Sequence, residues 1–169
     1  MDWLSGRRSP IKQPTSRASP LGMEPGRGKL RIMQTIPDIK LHLDWDGELR
    51  FSGAIDDTTV HIDGSAKMAP SPVQMLSAAL AGCMAIDLVD ILAKMRTPAD
   101  SLRIDLEVER ATQTPRRVVA AEMVFTILGD VPEKNVSRAI DMSRKTYCSV
   151  WHSLQPDIKF QTAFKLNPS

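Results

Sequence analysis

Residues 71–96 read SPVQMLSAALAGCMAIDLVDILAKMR, and the arrangement of the rest of the chain follows from this stretch. It opens with a helix start signal. Ser71 can cap, Pro72 suits the first helical position because its missing N–H needs no partner there, and Gln74 completes a capping box. The apolar pattern runs to Met95 and stops before Thr97-Pro98, where proline disfavours helical backbone in the preceding residue. About 24 residues at 1.5 Å each give a helix of roughly 36 Å, long enough to be the core of a domain. Its middle is thin, since Ala78, Ala79, Ala81, Gly82 and Ala85 leave room for another backbone. Gly82 is about 1 kcal/mol worse than alanine in a helix interior, so tight packing is expected around it.

Outward from this helix the period changes from helical to two. On the N-terminal side Ile39, Leu41, Leu43 and Trp45 alternate with Lys40, His42, Asp44 and Asp46, as in a strand with one buried face. Asp46-Gly47 is a hairpin-turn dipeptide, residues 48–55 continue as a second strand, Asp56-Asp57 turns again, and the β-branched residues 58–62 form a third. On the C-terminal side Leu102, Ile104, Leu106 and Val108 alternate with charged residues, residues 113–117 turn, and residues 118–128 return. Pro132 opens a second helix with Val136, Ile140, Ser143 and Tyr147 on one face, ending in Arg144 and Lys145, which suit its negative end. A short helical turn at residues 149–154 and a strand at 158–166 close the chain. The expected fold class is α+β, in the order β-β-β-α-β-β-α-β.

At 169 residues the chain has room for one domain plus an extension. Residues 1–37 carry five prolines and almost no apolar periodicity, the composition of a segment that cannot offset its chain entropy by burial. Residues 1–32 hold seven cations against two anions, a net +5; the whole chain is +2, so the remainder is −3. The basic balance therefore belongs to residues 1–37, which are expected to be a disordered, basic Pro/Ser/Arg-rich extension, with the domain at residues 38–169. Such an extension also suits a transit-type segment, or a true start at Met23 or Met33. No nucleic-acid motif accompanies it.

The greasiest run, residues 73–86, is interrupted by Gln74 and Ser77 and followed by Asp87 and Asp90, so no membrane span and no membrane partner are expected. Arg7, Arg8, Ser9 and Pro10 stand where a secretory signal needs its apolar region. Two cysteines are too few for a disulfide scaffold, and a cytoplasmic setting is expected.

Cys83 lies mid-helix among small residues, and Cys148 follows the second helix in KTYCSV, residues 145–150. Both can be small apolar fillers, or a redox pair. Arg144 and Lys145 precede Cys148 and would favour its thiolate, whereas Asp87, one turn after Cys83, would oppose ionisation there. His152 could share a helical face with Cys148, but a zinc site wants three or four ligands and the spacing offers no third. His42 and His61 read as outward strand residues, and Asp90 with Lys94 as an i,i+4 pair.

The quoted helix resembles the signature helix of the OsmC/Ohr family: a proline, then leucines and alanines, with a cysteine eleven residues after the proline. The continuation MAIDLVDIL, residues 84–92, and YCSV, residues 147–150, resemble its less characterised OsmC-like branch, and the element order is also the family's. The resemblance covers residues 39–166. It implies an intertwined homodimer, with curved antiparallel sheets around long central helices and sites formed at the interface. It implies a hydroperoxide reductase in which Cys83 is peroxidatic, Cys148 resolves it through a disulfide, and an external dithiol restores both. No metal or organic cofactor is implied. The arginine that such members hold over the thiolate corresponds to Arg50, unless Trp45 or Phe51 occupies the equivalent place; Arg50 is equally read as a solvated strand charge. The glutamate that follows the opening proline in peroxide-reducing members is Val73 here. Val73 favours the alternative, a non-catalytic dimeric module binding a small apolar ligand; retention of both cysteines favours the enzyme.

Overall fold

The computed structural model describes residues 39–168; the expected extension at residues 1–37 and its boundary with the domain lie outside them. The elements are β1 (Leu41–Gly47), β2 (Arg50–Ile55), β3 (Thr58–Asp63), α1 (Pro72–Lys94), β4 (Ser101–Arg110), β5 (Val118–Leu128), α2 (Glu133–Met142), a π-helical turn (Ser143–Tyr147), α3 (Ser149–His152) and β6 (Lys159–Leu166). The α+β class and the expected order hold.

β1, β2 and β3 form an antiparallel three-stranded sheet. Its first hairpin turns through Gly47 (φ 99°) and Glu48 (φ 51°), its second through Asp56 (φ 50°). Gly53 has to be glycine, because a Cβ there would lie 1.9 Å from the His42 carbonyl oxygen. Residues paired directly across an antiparallel ladder share a face. Leu41 opposite Ile55, Trp45 opposite Phe51, and Phe51 opposite Ile62 therefore build one apolar face. Among the described residues nothing covers that face: Leu41, Leu43, Phe51 and Ile55 are exposed, and Trp45 is 69% exposed.

The second sheet has the order β4-β5-β6. β4 pairs antiparallel with β5, but β6 runs parallel to β5, so this sheet is mixed where an antiparallel one was expected. The chain passes through α2 and α3 between β5 and β6. A crossover of that length returns a strand in the same direction, whereas a tight hairpin cannot. The core lies between this sheet and α1. Leu80, Met84, Leu88, Ile91 and Leu92 make the buried stripe of α1 and cluster with Met123, Phe125 and Ile127 of β5, Phe160 of β6, and Val136, Ala139 and Ile140 of α2. No residue of β1–β3 belongs to that cluster.

Helix α1 starts as its sequence dictates. The Ser71 N–H donates to Gln74 Oε1 (2.8 Å) and the Gln74 N–H to Ser71 Oγ (3.4 Å). It ends at Lys94, with Met95 as C-cap. At 23 residues it is long and apolar enough to cross a membrane, contrary to the expectation from its interrupted run. The reason is that isolated Gln and Ser barely lower an average over 18 residues. The side of α1 away from the core carries exposed Leu76, Ile86 and Val89. Gly82 faces open space within the chain, with nothing within 4 Å of an added Cβ, so the close neighbour expected there is not another part of residues 39–168.

The second helix departs most from its periodicity. Val136, Ile140 and Ser143 are inward as expected, but Tyr147 is exposed and Cys148 is fully buried. The cause is the π turn, in which the Cys148 N–H reaches back five residues to the Ser143 carbonyl (2.9 Å). One extra residue in the turn shifts the following side chains around the axis, so Cys148 takes the inward place.

Candidate active site

The two cysteines come together although 65 positions separate them in sequence. Cys83 sits beside the buried stripe of α1 and is half-buried; Cys148 is the N-cap of α3 and accepts the Trp151 N–H at its Sγ (3.4 Å). Asp87 stands one turn beyond Cys83 on the same side of α1. The Cys83 sulfur, a carboxylate oxygen of Asp87 and the Cys148 sulfur all lie within 4.8 Å of one another. Ser143, buried in the π turn, donates its hydroxyl to Asp87 Oδ2 (2.7 Å) and fixes that carboxylate.

The electrostatics differ from the expectation for Cys148. Burial first, then the adjacent Cys83 sulfur that accepts its proton, push the Cys148 thiol up to about 12, although the Trp151 N–H pulls the other way. Cys148 is therefore a thiol at neutral pH. The cations expected to ionise it are engaged elsewhere. Lys145 pairs with Asp141 (2.9 Å), and Arg144 lies over the rings of Trp151 and Phe160, 5.8 and 5.4 Å from their centroids.

Arg50 lies in β2 opposite Asp63, with its guanidinium 3.7 Å from Glu48 and its Nε buried without a hydrogen-bond partner among the described residues. Neither contact reaches Cys83 or Cys148. His152 is exposed and stays out of the trio, as do the exposed His42 and His61. Asp90 and Lys94 form their expected pair (2.5 Å). Sequence reasoning missed the Asp87–Ser143 bond and the placing of the Asp87 carboxylate beside both sulfurs. The i,i+4 spacing from Cys83 does put Asp87 on the right face, but nothing local could show that Ser143 and Cys148 meet it there.

Next to the trio, Asp87, Asp90, Ile91, Lys94, Arg138 and Tyr147 help line a cavity of about 310 Å³. This is at the small end of the range, roughly 300–1,000 Å³, in which small-molecule pockets fall.

A pair of thiols, one on the central helix of an α+β domain and the other brought to it after the π turn, defines the class of protein. The family described as OsmC-like protein matches residues 63–163, and Protein YhfA of Escherichia coli (strain K12) is 31% identical over 131 residues, which span 76% of this chain and 98% of that protein. The chain belongs to the OsmC-like family. Two solved structures show the same fold. The OsmC like protein from Mycoplasma pneumoniae superposes with a TM-score of 0.66 at 19% identity, covering 79% of this chain and 99% of that one. The organic hydroperoxide resistance protein OhrB of Bacillus subtilis gives 0.58 at 13% identity, covering 75% and 97%.

Proposed function

We propose that this protein is a thiol-dependent hydroperoxide reductase acting as a homodimer. The observation that carries the reading is the pair of sulfurs within 4.8 Å, one half-buried and one fully buried and held protonated. The Cys83 thiolate attacks the terminal oxygen of a hydroperoxide; the O–O bond breaks, the alkoxide takes a proton and leaves as alcohol, and Cys83 becomes a sulfenic acid. Cys148 then attacks the sulfenic sulfur, its own proton leaves with the displaced hydroxyl as water, and a disulfide forms. The sulfurs need only close to about 2.05 Å, a movement of side chains rather than of the fold. An external dithiol reduces the disulfide and completes the cycle. The OhrB likeness, a hydroperoxide resistance protein by its name, agrees with this substrate class. We read the setting as cytoplasmic.

Dimerisation is supported by three features that residues 39–168 leave open: the apolar face of β1–β3, the exposed Leu76, Ile86 and Val89 on α1, and the empty space over Gly82. A helix apolar on both sides normally has both sides covered. The unpartnered Nε of Arg50 fits the same picture, since buried donors are almost always satisfied; in the dimer Arg50 would act as the cation that favours the Cys83 thiolate.

The second reading, a non-catalytic module binding a small apolar ligand, is favoured by Val73 and by the carboxylate of Asp87 beside the sulfurs, which adds to the upward push on the Cys148 thiol. One experiment decides between the two. Reduced protein is treated with a small excess of an alkyl hydroperoxide and digested, and the Cys83–Cys148 peptide pair is sought by mass spectrometry. Stoichiometric disulfide, absent in Cys83→Ser, is expected; thiols inert to peroxide in the folded dimer would leave only the binding module.

A further inference from the structure

We propose that the reduced site is also a binding site for a thiophilic divalent cation of the zinc type, held by Cys83, Cys148 and Asp87, and that the bound ion withdraws the cysteine pair from peroxide chemistry. Binding itself rests only on the donor geometry. Its consequence for peroxide rests on the reductase reading above.

Two sulfurs and a carboxylate oxygen make a donor set that zinc accepts and that magnesium or calcium, which prefer oxygen alone, do not. The distances suit it. A tetrahedral ion with metal–sulfur bonds of about 2.3 Å holds its two sulfurs about 3.8 Å apart. The three donor atoms already lie within 4.8 Å of one another, so they close on an ion by a shift of about 1 Å or less. The carboxylate is prepared for the task. Ser143 occupies Oδ2 and orients the group, which leaves Oδ1 for the metal. A hydrogen-bonded, pre-oriented ligand of this kind is what metal sites ordinarily use. Asp87 also lines the cavity beside the site, so water can reach the trio from that side and supply a fourth ligand. This leaves the geometry of three protein ligands and one open position.

The exchange balances without any redox partner. Cys83 and Cys148 enter as thiolates, each thiol proton going to solvent, and two thiolates with one carboxylate meet a charge of +2. A sulfur lone pair committed to the ion is no longer free to attack a peroxide oxygen. Conversely, a Cys83–Cys148 disulfide removes both sulfur donors, so oxidation and metal binding exclude each other. Asp87 then has a positive role in a site where, for thiolate chemistry alone, its charge is a hindrance.

The test uses reduced, metal-free full-length protein titrated with Co²⁺ alone as a spectroscopic probe, followed by displacement with Zn²⁺. One equivalent per chain, with a sulfur-to-cobalt charge-transfer band in the near ultraviolet that Zn²⁺ removes, is expected. Asp87→Asn keeps the shape of the side chain and its bond from Ser143 but loses the charge; it should bind at least about 10-fold more weakly. Cys83→Ala and Cys148→Ala should each lose intensity in the band, with circular dichroism melting curves showing that each variant is folded. Protein oxidised to the disulfide should give no band. Absence of the sulfur band in reduced wild type, or Asp87→Asn binding as tightly as wild type, overturns the site. Zn²⁺-loaded protein that forms the disulfide at the metal-free rate overturns the regulation. If metal-free protein is inert to hydroperoxide yet gives the cobalt band, the metal site stands and the reductase reading fails.

Discussion

The two sheets of this molecule are written in the same pattern and have opposite fates. In β1, Leu41, Leu43 and Trp45 alternate with polar residues; in β5, Met123, Phe125 and Ile127 keep the same period of two, with Val124 and Thr126 between them. Met123, Phe125 and Ile127 are all 0% exposed, whereas Trp45 faces solvent. The difference does not lie in the strands. The inward residues of β5 cluster with α1, while none of residues 39–168 covers the apolar face of β1–β3. Period-two alternation states that a face wants cover; it does not state who provides it. In one sheet the cover is local, and in the other we assign it to a second copy.

Two substitutions test this contrast directly, and the larger effect belongs to the covered sheet. Phe125→Ala should lower unfolding free energy by about 3–5 kcal/mol, because the cavity it leaves is enclosed on all sides. Denaturant midpoints should fall at every protein concentration. Trp45→Ala should act on association instead, raising the dimer Kd by about 2–4 kcal/mol, roughly 30-fold or more, as read by sedimentation or light scattering over a dilution series. If Trp45→Ala leaves the oligomeric state unchanged, a second copy does not cover this face.

A smaller effect is expected where the two regions join. Asp63, the last residue of β3, is almost fully buried and accepts four hydrogen bonds: from Ser65 Oγ (2.7 Å) and the Ser65 N–H (2.8 Å) at Oδ1, and from the Lys67 (3.1 Å) and Met68 (2.9 Å) N–H groups at Oδ2. The Ser65 hydroxyl foremost, and then the backbone N–H groups, hold its carboxyl well below the ordinary 3.8. A depressed folded value means that the ionised form is favoured by folding. Its contribution is present in full above the unfolded value and is lost as pH falls through the folded one. Asp63→Asn should therefore be less stable than wild type at pH 7, and the gap should narrow below about pH 4. An equal gap at pH 7 and pH 2 would show that the loop does not depend on this charge.

The fold was legible where local chemistry is self-sufficient. Ser71, Pro72 and Gln74 announce α1 because a capping box involves residues three apart, and its bonds form as read. The turns at Gly47 and Asp56 are equally local. Reading failed where a bond spans the chain or the helical period slips. A period of 3.6 residues per turn puts Tyr147 inward, and a single π turn gives that position to Cys148. Arg144 and Lys145 were assigned to the Cys148 thiolate by proximity in sequence, yet one stacks on Trp151 and Phe160 and the other pairs with Asp141.

By itself, the sequence determined the elements, their order, the central helix and the identity of the two sulfurs, because each depends on neighbours a few residues away. Only the tertiary structure decided that β6 lies parallel to β5, that Cys148 is buried and kept protonated, and that Asp87, held by Ser143, stands beside both sulfurs. The physical reason is separation. Hydrogen bonds and burial that join residues 56 or 65 positions apart are set by how helices and sheet pack, and local pattern carries no record of that packing.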